Sequence, residues 1–290
     1  MKIGYGTYGM PDVDIFEAVP RLRDIGYEMI EIMAAPDWPT APANLTAAQR
    51  SRLRREIEQA GFPPPVILCM VSPCVRGSER SDMLREFEAT CRLAEELNFG
   101  ASPAIVTSTL GGSAPPWETG KDQIVADLAE LAESAARHQV IFAIEPHVGG
   151  ALDDPHKANW LIHQANHPGL KLNFDYSHFY VQGMELQLCL DQCLPLAVHT
   201  HIKDGHMEGD NVVFTLPGQG DLDLTAYFRA LEERGSTLPV CVEVSGMVWR
   251  RPDYDAWEAA EECFTALQQA RAAAMAKLSR QTDTPIPKSV

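Results

Sequence analysis

Four short runs in the second half of the chain each pass through apolar residues and arrive at a side chain that can bind a metal or move a proton. IFAIEPH reaches Glu145, KLNFD reaches Asp175, AVHTHIKD carries His201 and VCVEVSG carries Glu243. A carboxylate after a stretch of buried strand is costly unless it is paired, hydrogen-bonded or bound to a cation. Each residue alone has a plainer reading: a rim salt bridge for a Glu, a helix cap for the Asp, a satisfied core position for the His. Their recurrence in successive runs points to one shared cause. Three carboxylates and an imidazole facing one place are relieved by a divalent cation. Oxygen-rich donors with one His favour Mn(II), with Mg(II) or Co(II) close behind and Zn(II) less favoured.

Alternation extends the set. His147 stands two residues after Glu145, and Lys203 two after His201, so in a strand each faces the same side as its neighbour. Lys203 then suits a substrate hydroxyl or phosphate, His147 the lining of the mouth, and Asp204 a supporting or loop role. Tyr8, Trp117, Phe179 and Trp249 are candidates for an apolar wall of that mouth, and equally for packing.

Elements must bring these strand ends together. Short β-rich runs alternate with amphipathic stretches along the chain, which implies parallel strands. The runs fall at 2–5, 29–33, 66–71, 104–108, 141–145, 171–175, 197–202 and 240–244. Between them, Thr46 with Gln49 makes a capping box for a helix over 47–60, Asp154-Pro155 marks a second start, and Asp223 a third. Eight β/α units in this length predict an α/β fold, a single (β/α)8 barrel over residues 1–270, whose strand C-termini share one mouth. Residues 271–290 lose apolar periodicity and are expected to form a mobile tail. Gly4, Gly6 and Gly9 fit a GxGxxG pattern, with Glu31 as its acidic residue. That pattern starts inside the first strand and no helix follows at once, so glycines needed for close packing are the preferred reading.

Composition removes several classes of function. Of 290 residues, 45% are hydrophobic and 22% charged, enough for a sizeable core and unlike a disordered chain. The 24 Lys plus Arg against 40 Asp plus Glu give a formal charge of −16, which repels phosphate backbones and anionic lipids, so neither nucleic acid nor a membrane is expected as a partner. Without a signal-like or membrane-spanning apolar run, the sequence predicts a cytoplasmic protein. The seven Cys include no CxxC pair and read as reduced, buried thiols; Cys189 and Cys193 have no further partners at a zinc-finger spacing.

On IEPH (144–147), FDYSH (174–178), HIKD (201–204), PGQGDLD (217–223) and VEVSG (242–246), the chain resembles the xylose-isomerase-like superfamily of sugar isomerases and epimerases over roughly residues 1–268. The resemblance implies metal ligation by Glu145, Asp175, His201 and Glu243, contact of His178 with a substrate oxygen, a structural role for the glycine turn, and pairing into homodimers or homotetramers. It implies an enzyme of carbohydrate metabolism, a metal-dependent sugar isomerase or epimerase. Protons would move through a metal-stabilised enediolate, with Glu145 and Glu243 as base and acid and a small sugar or keto-polyol as substrate. A second reading is a metal-dependent lyase of a keto-sugar or keto-inositol, like the inosose and dehydroshikimate dehydratases or a keto-glycoside-cleaving enzyme. A third is a non-catalytic barrel. The superfamily's three-zinc DNA-repair branch is disfavoured, because Val212, Val213 and Phe214 stand where its Asp-x-His would be. Separately, Met207 stands where the 3-epimerase branch has an Arg, a departure that bears on ketohexose specificity.

Overall fold

Strands that are apolar on both faces need cover on both sides, and the amphipathic stretches between them supply it. In the computed structural model, which describes residues 1–282, β1 (Ile3–Gly6), β2 (Met29–Met33), β3 (Val66–Leu68), β4 (Ala104–Ser108), β5 (Val140–Ile144), β6 (Leu170–Asp175), β7 (Ala197–Ile202) and β10 (Val240–Val242) are the parallel strands of a closed barrel. Their order is β1-β10-β7-β6-β5-β4-β3-β2. The fold is the (β/α)8 barrel read from the alternation. An unforeseen antiparallel hairpin, β8 (Asp204–Glu208) and β9 (Asn211–Thr215), follows β7 and turns at Gly209, whose φ is +60°. Alternating side chains around a Gly-Asp pair were the available signal.

The helices begin where capping residues place them. Asp14 accepts from Phe16 N at 2.7 Å to open α1 (Ile15–Ile25), Thr46 and Gln49 form the capping box of α2 (Ala47–Gln59), Asp154 caps α5 (Pro155–Ala165), and Asp223 caps α8 (Leu224–Glu233). Each such cap contributes about 1 kcal/mol. The last helix, Ala256–Thr282, closes the ring against the N-terminal units: Tyr27 donates its hydroxyl to Ala260 O at 2.8 Å. Within the expected tail, residues 271–282 continue this helix. Ala274 is fully buried, and Arg271 reaches Met1 O at 2.7 Å and Glu28 Oε2 at 2.8 Å. The AAAMAKL run has high helix propensity without the amphipathic period by which packed helices are recognised. Residues 283–290 lie outside the described residues.

Inside the barrel the side chains change character with height. Met29, Val66, Ile105 and Cys241 form an apolar layer. Above it the lumen is polar: Glu31, Thr107, Asn173, His199 and His201 are all fully buried. A bulge aligns part of this set. Leu172 faces Ala197 and Asn173 faces His199, so Val198 has no partner, and the step puts His199 and His201 opposite Asn173 and Asp175. The glycines of β1 provide the room. A Cβ on Gly4 would meet Met29 Cγ at 2.4 Å, and one on Gly6 would meet Glu31 Oε1 at 3.0 Å and Val242 O at 3.1 Å.

Beyond the hairpin, Asp204 organises the PGQGDLD turn, its carboxylate accepting from Gly205, Gly218 and Leu222 N at 2.8, 2.9 and 3.0 Å. A Cβ on Gly220 would lie 2.3 Å from Asp204 Oδ1 and 2.5 Å from Gly205 N. Since backbone and a fully engaged carboxylate both block it, Gly220→Ala is expected to cost about 1–3 kcal/mol of stability. Urea unfolding of the variant measures this, and an unchanged midpoint would show that the turn yields freely.

Candidate active site

The strands deliver their acidic residues at the point where the ladder ends. Glu145 lies one residue beyond β5 and Glu243 one beyond β10, yet their peptide N–H groups still bond Ser108 O at 2.8 Å and Ile202 O at 3.0 Å. Both carboxylates therefore stand on fixed backbone. Asp175, the last residue of β6, caps the short helix α6 (Tyr176–Tyr180) by accepting from Ser177 N at 2.8 Å. One turn later His178 comes back over the site, with Nε2 3.1 Å from Glu145 Oε1 and 3.7 Å from Asp175 Oδ2. Burial, with Lys203 adding to it, pushes His178 down to about 4. It is neutral at ordinary pH and donates Nε2–H to Glu145. His147 packs against it, tilted by 40°, at 3.9 Å between centroids, and Phe214 of the hairpin meets its ring edge-on at 5.2 Å.

Glu145, Asp175, His178 and Glu243 each offer a donor atom within 4.8 Å of the others. Ligands at 2.0–2.6 Å from one ion stand no more than about 5 Å apart, so this set meets the spacing of a shared cation. His201 adjoins it: Nδ1 is 2.9 Å from Glu145 Oε2 and 3.8 Å from Glu243 Oε2. Its other nitrogen, Nε2, lies 2.9 Å from Glu31, a fully buried carboxylate that also has His199 Nε2 at 3.1 Å. Asn173 Nδ2 donates to Glu145 Oε2 at 2.7 Å, and Thr107 Oγ1 to Glu31 at 3.5 Å. His201 thus joins the mouth of the barrel to a deeper group of Glu31, His199 and Cys241.

Burial opposes every charge here, and partners overcome it for most of them. Burial pushes Glu31 up, but the imidazolium of His201 and bonds from His199 and His201 outweigh it and hold the carboxyl at about 2. Glu145 is likewise held well below the usual carboxylate range, against burial, by His201 and His178. Asp175 is lowered against burial by Lys203. Burial disfavours a charged His201, yet Glu31 and Glu145 on its two nitrogens raise it well above the ordinary histidine value. Glu243 alone among these carboxyls is shifted upward, by burial that Lys203 only partly offsets.

All seven side chains singled out from the sequence meet in this region. The four-donor group at the mouth contains His178 rather than His201, which belongs with Glu31, His199 and Cys241 to a second, deeper group of the same spacing. Lys203, expected to meet a substrate hydroxyl or phosphate, instead has its ammonium between the carboxylates of Asp175 and Glu243, the nearest buried anions within reach of its stem. Glu145, His147, Lys203 and Glu243 open on a cavity of about 250 Å³, which a neighbouring cavity of about 290 Å³ extends past Thr109 and His147. Of the four wall aromatics, Tyr8 and Trp249 are at the mouth, packed with Trp38 at 5.5–5.7 Å between centroids. Trp117 packs instead on Trp160, and Phe179 is buried beside Phe174.

Sequence reasoning passed over His199 and Asn173 and weighed Glu31 only as the acidic residue of the glycine pattern. Glu31 breaks the run MIEIM as Glu145 breaks its own, and His199 shares the parity of His201. Those were the signals. Among the described residues no helix is long and apolar enough to cross a membrane, and all seven cysteines are free and buried.

The sequence profile described as xylose isomerase-like TIM barrel matches residues 19–267. The chain belongs to this family. Among curated relatives, this xylose isomerase-like barrel is 25% identical over 283 residues to a fructoselysine 3-epimerase of Escherichia coli O157:H7, covering 92% of this chain and 98% of that protein. It is 24% identical to a 3-dehydroshikimate dehydratase of Bacillus anthracis over 180 residues, 62% of each chain and so under two thirds of that enzyme. A solved structure of L-ribulose 3-epimerase superposes with a TM-score of 0.78 at 18% identity, covering 99% of both chains, which establishes likeness of fold.

Because His201 is held between Glu31 and Glu145, removing the deeper charge tests the coupling. Glu31→Gln keeps the shape and, on the expectation that His201 ligates a divalent ion, weakens Mn(II) binding by roughly 10–100-fold, the usual effect of losing a carboxylate behind a ligating His. Electron paramagnetic resonance of free Mn(II) reads this, with circular dichroism to confirm folding. Undiminished affinity would show that Glu31 does not act through His201.

Proposed function

We propose that this chain is a divalent-metal-dependent isomerase or epimerase of a small polyhydroxy carbonyl compound, moving a proton on and off the carbon beside the carbonyl. One observation carries the reading: Glu145 and Glu243 open together on the cavity while sharing a buried donor group with Asp175, and with His178 and His201 at hand. The donor chemistry fits a hard or borderline divalent ion, Mn(II) foremost. Glu145, Asp175, His201 and Glu243 would hold it, with His178 alongside. A bound cation of this kind polarises a substrate carbonyl and makes the neighbouring C–H acidic.

The protein's own groups do the rest. Glu145 and Glu243 stand at the ends of strands separated by β6 and β7, so they approach a bound substrate from different sides. One carboxylate takes the proton and the other returns one, which is what inversion or carbonyl migration requires. His178 on one oxygen of Glu145, with Asn173 and His201 on the other, fixes the orientation of that carboxylate. Lys203, itself on the cavity, holds Asp175 and Glu243 in place.

A metal-dependent dehydratase is the second reading, supported by the dehydratase relative. It shares the first proton abstraction and differs in expelling a β-hydroxyl afterwards. Incubation in D2O with Mn(II) separates the two: an isomerase or epimerase places deuterium in a ketose without loss of water, whereas dehydroshikimate or a keto-inositol would lose water to a dehydratase. Glu145→Gln and Glu243→Gln are each expected to lower turnover by about 10²–10⁴-fold. Purified chain is expected to hold about one divalent ion, largely lost in Asp175→Asn. Retention of no metal after loading with excess Mn(II), measured by plasma emission, would sink both readings.

A further inference from the structure

The cavity has a second pole that the proton-transfer chemistry does not use. Arg250 follows the short helix α9 (Gly246–Trp249) and lies exposed on the cavity rim. Its side chain turns back across Gly246, where a Cβ would meet Nη1 at 2.9 Å and the Tyr8 hydroxyl at 3.4 Å. The guanidinium carbon is 4.5 Å from the centroid of Trp249. Among the described residues it makes no ion pair, although the chain carries a net charge of −16. The other basic groups on this cavity are engaged. Lys203 is bound by Asp175 and Glu243, and His147 Nδ1 lies 2.8 Å from Val148 O.

Apolar surface lies beside it. Four large apolar side chains are exposed among the described residues, and two of them, Met70 at 44% and Met247 at 52%, line this same cavity. Exposed apolar side chains grouped around a concavity mark a place where a ligand covers them. A bare polyol would not need them. The carboxylates on the cavity floor repel an anion, so a negatively charged group is directed to the rim, where Arg250 stands.

Resting on the proton-transfer reading above, we propose that the substrate carries an oxyanion, a carboxylate or phosphate, at the end remote from its reacting carbonyl, held by Arg250, with an intervening segment against Met70 and Met247. A guanidinium presents paired N–H donors that match either oxyanion, and such charge-assisted bonds are the strong ones.

The test compares three probes on the full, Mn(II)-loaded chain: D-fructose, D-fructose 6-phosphate and a ketohexuronate with a carboxylate at the same position. Binding is followed by fluorescence of the tryptophans at the mouth. At least one charged probe is expected to bind about 10-fold or more tightly than fructose, and the tighter of the two identifies the oxyanion. Arg250→Leu is expected to abolish that preference and Arg250→Lys to keep part of it. Charged probes that bind no better than fructose, absence of binding included, would overturn the proposal, as would a preference that survives Arg250→Leu. Deuterium uptake is read separately: a binding preference without exchange in any probe would refute the proton-transfer reading and leave the oxyanion site standing.

Discussion

Glu31, Glu145, Asp175 and Glu243 share one barrel lumen and its mouth, with the imidazolium of His201 and the ammonium of Lys203 as the opposing charges among the described residues. The effective penalty for removing an ion from water is several kcal/mol, repaid only where geometry is good and remaining lone pairs are satisfied. The lumen meets that demand by stacking partners in depth. His201 lies between two carboxylates, Lys203 between two more, and Asn173 and Thr107 supply neutral donors. Four carboxylates against two cations leave the lumen net acidic, and any cation taken up by His201 would first have to displace its proton.

This arrangement depends on backbone that does not move. The acidic residues sit where strand pairing ends, with their N–H groups still in the ladder, so the barrel fixes their Cα positions while leaving their side chains to the mouth. Loops alone would not hold them so closely. The short α6 adds a second device. Asp175 both faces the site and caps the helix that carries His178 back over it, so one residue sets the place of another three positions later. The hairpin then covers this pair with Phe214, excluding water from the His178–Glu145 bond.

Local signals in the sequence account for the barrel and for the acidic strand ends. Period-two runs, helix caps and a carboxylate interrupting an apolar run are all properties of a few consecutive residues. Glu31 is different. Its partner His201 is 170 residues away, and what brings them together is closure of the barrel, which places β2 across the lumen from β7. Without that closure Glu31 stood only as the acidic residue of a glycine pattern resembling a dinucleotide-binding turn. The pairing of Lys203 was hidden for a similar reason: parity puts it inside, but only the packed structure shows Asp175 and Glu243 on either side of its ammonium. The extent of the last helix escaped because Ala-rich sequence favours helix without marking a buried face.

The glycines of β1 connect these points. A lumen filled by layers of branched side chains, as barrels usually have, leaves no space for a carboxylate at mid-height. Gly6 removes one side chain from that layer, and Glu31 Oε1 fills the gap so closely that a Cβ would stand 3.0 Å from it. Any larger residue at position 6 would press on Glu31 and, through it, on His201. The feature that resembled a nucleotide-binding turn is therefore part of the support for the candidate metal-binding histidine. It works by leaving out a side chain on the first strand so that one from the second can reach the seventh.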